Sequence, residues 1–229
     1  MSEAGAAVRT DALTKTYGSG ETLVRALDGV TVEIHRGEFT AVMGPSGSGK
    51  STFMHLTAGL DAATSGRSWI GDVEITSLDD TALTLLRRER VGFIFQSFNL
   101  LPTLDARANI LLPLKLARRP LDSAWFDHVV DVLGLGDRLQ HRPSELSGGQ
   151  QQRVAAARAL ITRPDVVFAD EPTGALDSTA SEQLLDLLRS SVRDLGQTIM
   201  MVTHDARAAA YADRVLRLAD GRIAADERP

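Results

Sequence analysis

The chain has 229 residues, no cysteine, 43% hydrophobic residues and a formal net charge of −5. That length is ample for one sizeable buried core, and the composition is that of an ordinary globular protein. A cysteine-free chain excludes a disulfide framework, a thiolate metal site and a cysteine nucleophile, and its mild acidity predicts no nucleic-acid partner.

No stretch reaches the roughly 18 consecutive apolar residues of a membrane-spanning helix. Residues 1–10 lack a basic start followed by an apolar run, so no signal peptide is expected. These features predict a cytosolic chain that meets a membrane only through a partner. Among the 25 basic residues only Lys15, Lys50 and Lys115 are lysines.

In chain order, residues 8–13 and 27–34 read as short strands around a turn at Gly18 to Gly20. Residues 39–43 are a compact apolar strand, followed by glycines and serines at 44–51 and helical character over 52–58. Ser65-Gly66 and Gly71 punctuate another β stretch. Residues 83–90 read as helix and 91–95 as a buried strand. From 96 to about 143 the texture changes: prolines at 102, 113, 120 and 143 separate helical patches such as 123–133. This reads as a helical lobe inserted into an α/β core. Residues 150–161 form a strong alanine-rich helix with Val154, Ala157, Leu160 and Ile161 at apolar positions. Residues 166–169 are a second apolar strand. An amphipathic helix over 180–195 gathers Leu184, Leu185, Leu188 and Val192 on one face. A strand over 198–202, a helix over 206–212 and a hairpin over 215–223, turning at Asp220-Gly221, complete the chain. Apolar strands alternating with helices predict a mostly parallel sheet covered on both faces.

Three segments carry chemistry. Gly44-Pro45-Ser46-Gly47-Ser48-Gly49-Lys50-Ser51 follows an apolar strand and opens a helix. Its glycines let backbone N–H groups curl round a phosphate, and the helix start adds its positive end. Lys50 is placed to reach the β- and γ-phosphates, and Ser51 to ligate Mg2+. Asp170-Glu171 ends the strand over 166–169. There Asp170 can hold Mg2+ through its water shell and Glu171 can polarise an attacking water. Leu146-Ser147-Gly148-Gly149-Gln150 precedes the alanine-rich helix, where Ser147 can cap it and the glycines expose donors at its positive end.

Together the three segments resemble the motif set of the ABC ATPases, over residues 17–221. The resemblance implies an α/β P-loop NTPase fold of RecA-like type: a mostly parallel core with an N-terminal antiparallel β subdomain and an inserted helical subdomain. It implies one ATPase domain over 1–229. Residues 1–96 would hold the β subdomain and the first part of the core, 97–162 the helical subdomain with the signature, and 163–229 the rest of the core. ATP and Mg2+ are the implied ligands. Gly44 to Ser51 matches the Walker A loop, with Thr52 following, and residues 166–171 match the Walker B strand. Tyr17 falls where the family stacks an aromatic on adenine. Gln96 resembles the glutamine that senses Mg2+ and water, His204 the switch histidine at the γ-phosphate, and Asp177 the D-loop that crosses to a partner. Leu146 to Gln150 would act in trans, on nucleotide held by the second copy of an ATP-dependent homodimer. His35, His55, His128 and His141 match no motif.

The stretch 87–104 and Pro172-Thr173-Gly174-Ala175-Leu176-Asp177 are similar to ATPases of the macrolide-exporter, lipoprotein-releasing and antimicrobial-peptide-resistance group. That likeness implies a membrane permease with a large extracytoplasmic part, and a place at the cytoplasmic face of the membrane. It implies that residues 98–104 line the groove for the permease's coupling helix. An importer ATPase is the alternative reading, and a non-transport ABC protein a third. No regulatory extension of the sugar-importer kind is expected up to Pro229. Two departures stand out. Ser68-Trp69-Ile70 occupies the place of a more regular family strand, and Phe53-Met54 replaces a leucine pair, a change of packing and not of chemistry.

Overall fold

The computed structural model describes residues 5–228. The chain opens with β1 (Ala6–Tyr17), β2 (Val24–His35), β3 (Phe39–Met43) and α1 (Lys50–Thr57). Next come β4 (Ser65–Ile70), β5 (Val73–Glu74), α2 (Asp80–Arg90) and β6 (Val91–Phe95). The inserted segment carries α3 (Ala106–Leu116) and α4 (Ser123–Val132), and leads into α5 (Gly148–Leu160). The remainder is β7 (Val166–Asp170), α6 (Ser178–Leu195), β8 (Ile199–Val202), α7 (Ala206–Ala209), β9 (Arg214–Ala219) and β10 (Arg222–Glu227).

The strands form two sheets. One is antiparallel in the order β2-β1-β4-β5. The other runs β10-β9-β3-β8-β7-β6, parallel except for the β9–β10 hairpin. This is an α/β P-loop NTPase architecture. Alternate residues of the central strands enter two separate cores, as a strand buried on both faces must arrange them. Phe39, Ala41, Val167, Ala169, Ile199 and Met201 face a core shared with α3, α5 and α6. Val42, Val166, Phe168, Met200 and Val202 face the other, with Phe53 and Met54 of α1 and the inner side of the antiparallel sheet. Phe53 and Met54 are fully buried there, so the exchange of a leucine pair is absorbed by packing.

Several local readings shift. β1 and β2 extend beyond the apolar cores of 8–13 and 27–34, because cross-strand hydrogen bonding carries polar residues along with them. Pro113 lies inside α3 instead of ending a patch; it removes one intrahelical donor near the C-terminal end. Ser68, Trp69 and Ile70 form a regular strand end paired with Thr10, Arg9 and Val8. The irregularity sits across the ladder, where β1 bulges and Ala12 takes φ +48°. The bulge brings the Ala12 carbonyl so close to Gly66 that an added Cβ would lie 2.2 Å from its oxygen, which only glycine tolerates.

Because β3, β6, β7 and β8 are parallel, their carboxyl ends emerge at one edge of the sheet. Phe95 lies beside Asp170, and Asp170 beside Val202. The loops starting at Gly44, Gln96, Glu171 and Thr203 therefore share that edge, the usual place for a ligand crevice in such sheets.

Candidate active site

The loop after β3 is shaped by its neighbours. Gly44 takes φ +155°, and a Cβ there would lie 2.2 Å from the Leu218 carbonyl oxygen. Gly49 takes φ +99°, and a Cβ there would lie 2.3 Å from the Ala26 carbonyl oxygen. Gly47, at φ +80°, borders open space. Lys50 is buried, and its Nζ donates to the carbonyls of Gly44 and Pro45, both at 2.8 Å. Pro45 and Ser46 are exposed, whereas Ser48 is buried and its hydroxyl has no hydrogen-bond partner among the described residues. A cavity of about 640 Å³ opens over the loop, a size suited to a nucleotide. Ser46, Gly47, Gly49, Lys50, Ser51 and Thr52 line one side of it, and Glu171 and His204 the other.

Asp170 closes β7 and is half-buried. Burial raises its carboxyl pKa above the usual aspartate value, and Glu171 adds to the rise, while His55 and Lys50 oppose it. The Asp170 carboxylate and the exposed Ser51 hydroxyl are both oxygen donors, the type that suits a hard divalent cation that keeps several waters. Glu171 sits in the left-handed region at φ +44°, held there by an N–H bond to the Val202 carbonyl at 2.9 Å. Its Oε1 lies 2.9 Å from Nδ1 of His204. Gln96 is exposed and lies against Gly174, where an added Cβ would come within 2.6 Å of its Nε2. Gln96, Asp170 and Tyr17 do not line the cavity wall itself.

Tyr17 ends β1 with 44% of its surface exposed. Its hydroxyl donates to Asp61 at 2.9 Å, and Lys15 donates to the other oxygen of Asp61 at 2.7 Å. The Lys15 ammonium also lies 4.9 Å from the Tyr17 ring centroid. Burial pulls the Asp61 carboxyl up, but the bonds from Lys15, Tyr17 and the Ala62 N–H outweigh it and hold the group below the usual range. The aromatic face is thus fixed by two polar neighbours.

The signature segment lies outside the loop cavity. Ser147 caps α5: its Oγ accepts from the Gln150 N–H at 3.3 Å, and the Gln150 Oε1 accepts from the Ser147 N–H at 2.9 Å. This reciprocal pair is a capping box. Leu146 is buried beneath it. Gly148 faces Leu176 and Phe98, and Gly149 is pressed against Ala180, where a Cβ would come within 3.1 Å. Asp177 caps α6 by accepting from the Ala180 N–H at 2.8 Å. The start of α1, which has no side-chain cap, and the capped start of α5 do not share a pocket.

Two side chains without any motif tie these parts together. Gln152 is fully buried on α5, and its Nε2 donates to the carbonyls of Phe95 at 3.2 Å and Pro172 at 2.8 Å. It bridges the segments that carry Gln96 and Glu171. Arg158, one turn and a half further along, donates to the Phe98 carbonyl at 2.8 Å and to that of Asn99. Both acceptors are left-handed, at φ +54° and +51°. A polar residue at a core position of an alanine-rich helix was the available signal for Gln152. Asn99 lines a groove between α2, β6, α3 and α5, and Asn109 binds the backbone of Leu101 and Leu104.

Comparisons with known proteins agree with this geometry. Residues 27–174 match the family described as ABC transporter. An ABC transporter ATP-binding protein of Methanocaldococcus jannaschii is 42% identical over 222 residues, covering 94% of both chains. A macrolide export ATP-binding/permease protein of Hyphomonas neptunium is 49% identical over 219 residues, covering 93% of this chain and 33% of the relative. The chain thus spans about a third of the exporter relatives it matches. The dimeric post-hydrolysis structure of the archaeal cassette, bound to ADP and Pi, superposes with a TM-score of 0.84 at 41% identity, covering 96% and 98% of the two chains. The structure of cbiO1 from Clostridium perfringens, part of the ABC transporter complex cbiONQ, gives 0.88 at 28% identity, with 98% and 89% covered.

Proposed function

Because the chain belongs to the ABC transporter ATP-binding family, we propose that two copies clamp ATP and hydrolyse it to drive a membrane permease. The carrying observation is the division of the site. Lys50, Ser51, Glu171 and His204 converge on one cavity, while the capped start of α5 lies outside it. A second copy related by two-fold symmetry brings Ser147 and Gly149 to the γ-phosphate held by Lys50. Tyr17 stacks on adenine. The N–H groups of Gly47 to Thr52 hold the phosphates, with Gly44, Pro45, Ser46 and Ser48 shaping the turn. Ser51, with Asp170 through water and Gln96, would hold Mg2+, which supplies charge neutralisation at the phosphates. Glu171 takes a proton from water, the water oxygen bonds to the γ-phosphorus, and ADP leaves. His204 orients Glu171 through their hydrogen bond and contacts the γ-phosphate. Asp177 faces the second copy.

The permease reading draws on the names of the relatives, which join ATP-binding and permease parts. Export, with a permease bearing a large extracytoplasmic part, is favoured over import by those same names. The ATPase then works at the cytoplasmic face of the membrane. Residues 97–162 act as a lobe against the core formed by 1–96 and 163–229. The permease docks in the groove between α2, β6, α3 and α5.

Glu171→Gln tests the central step. It is expected to lower turnover by about 100-fold or more while retaining ATP binding, and to accumulate a nucleotide-bound dimer in sedimentation. Full turnover by this variant would refute the role given to Glu171.

A further inference from the structure

Lys15 is one of only three lysines among 25 basic residues, and the phosphate chemistry uses Lys50 alone of them. It stands two positions before Tyr17 on β1. The β1–β2 register shifts on both sides of Lys15, and Val24, the ladder partner of Tyr17, is itself exposed. An irregular ladder and an exposed neighbour do little to fix the direction of the Tyr17 ring.

The segment after α1 does that instead. Thr64 donates its N–H to the Thr14 carbonyl at 2.9 Å, and its hydroxyl accepts from the Thr16 N–H at 2.9 Å. These bonds lay residues 61–64 along the end of β1 and bring Asp61 against both side chains. One Asp61 oxygen accepts from the Tyr17 hydroxyl at 2.9 Å. The other accepts from the Lys15 ammonium and from the Ala62 N–H, both at 2.7 Å. Lys15 also donates to the Ala62 carbonyl at 2.6 Å. Its side chain is 12% exposed, so the ammonium is held in one place, 4.9 Å from the Tyr17 ring centroid. A compact ammonium with three donors suits a carboxylate, a carbonyl and a ring at once, whereas the planar fork of arginine suits a single flat acceptor. Thr52, which lines the cavity over the phosphate loop, acts on the same phenol oxygen. The braced ring thus adjoins the cavity lined by Lys50 and Ser51.

A side chain held in place before its ligand arrives gives up less rotamer entropy on binding. A cation against an aromatic ring also draws on its π density, which favours an electron-rich purine stacked on that ring. The Lys15–Asp61 pair carries no net charge, so it exerts little field on a triphosphate.

We propose that Lys15 and Asp61 are positioning residues for the nucleobase: they hold Tyr17 as a preformed platform, so that the base adds affinity beyond that of the phosphates. The inference rests on reading Tyr17 as the residue that stacks on adenine, and adds the residues that make the stack effective.

Equilibrium titration of the full chain with ATP and with inorganic tripolyphosphate, both with Mg2+, separates base from phosphates. Asp61→Ala and Lys15→Met are each expected to weaken ATP binding about fivefold at an unchanged melting temperature, with tripolyphosphate binding unaltered. Tyr17→Ala should weaken ATP binding about 20-fold, again with tripolyphosphate unaltered. In the Tyr17→Ala background, Asp61→Ala should have no further effect, because its route to the ligand has gone. Tyr17→Phe removes the bond to Asp61 and keeps the ring; its expected loss of about threefold is the second probe should Asp61→Ala prove unstable. A loss of ATP affinity in Tyr17→Ala with none in Asp61→Ala, Lys15→Met or Tyr17→Phe would overturn the proposal and leave the stacking itself standing. Equal weakening of ATP and tripolyphosphate, or a further loss in the Tyr17→Ala background, would overturn it in favour of a structural role beside α1. Unchanged ATP affinity in Tyr17→Ala would overturn the stacking reading together with the proposal.

Discussion

Asp170 shows what a site residue costs its own fold. Its carboxyl is held partly out of water, so its pKa is raised in the folded chain. For an acid raised on folding, the charged form opposes folding above the unfolded value, and the opposition fades as pH falls through the folded value. Asp170→Asn is therefore expected to raise the melting temperature at neutral pH without nucleotide or metal, by about 2 °C. The gain should shrink as the pH approaches 4. Calorimetry across that range checks the sign; a lower melting temperature at neutral pH would contradict it. At this scale the sequence speaks clearly where chemistry needs a fixed spacing, as from Gly44 to Ser51. It is silent on Asp61, which fixes Tyr17 from 44 positions away. It is silent also on His55, whose field at Asp170 arises only once α1 lies beside β7. Neither pairing has a local pattern, because both are created by the crossing of distant segments.

Among elements, α5 does the most joining. Its start is fixed by the Ser147–Gln150 capping box, its middle by Gln152 and its end by Arg158. Ser147→Ala removes one cap bond and is expected to cost about 1 kcal/mol. Gln152→Ala leaves the Pro172 carbonyl without its bond and the Phe95 carbonyl with only that from the Phe98 N–H, and is expected to cost about 1–3 kcal/mol. Urea unfolding of the two variants should rank them in that order. Gln152→Ala should also slow ATP turnover, because the segments bearing Gln96 and Glu171 lose their shared brace. The helices and parallel strands were legible from their periodicity: Leu184, Leu185, Leu188 and Val192 are all buried, as are Val154, Ala157, Leu160 and Ile161. Strand ends and the place of Pro113 were not legible. Ladder bonds extend a strand past its apolar residues, and tertiary packing outweighs one lost helical bond.

At the scale of the whole molecule, the proposed function has a single copy hold one half of each of two different sites. Mixing Lys50→Ala with Ser147→Arg tests this directly. Each variant alone should be nearly inactive. In a mixed dimer one site collects both lesions and the other is intact, so the mixture should exceed either parent by about tenfold. No recovery would mean that phosphate loop and signature act within one copy. Ser147→Arg should leave ATP affinity of the monomer unchanged, as read by equilibrium titration at low protein concentration. In the sequence this proposed division rests only on the combination of motifs. Each segment taken alone reads as an ordinary glycine-rich helix start. One detail of the phosphate loop bears on how the machine works. The bonds from Lys50 to Gly44 and Pro45 close the loop into a ring, with its last side chain tied to its first carbonyls. A closed ring fluctuates as one piece, so its amides should exchange with deuterated water together and slowly. A phosphate that drew the ammonium away would open the ring and take its place as the clasp. In the proposed function, the contact that holds the ligand and the bonds that stiffen the loop would then draw on the same ammonium, handed from the protein to its substrate.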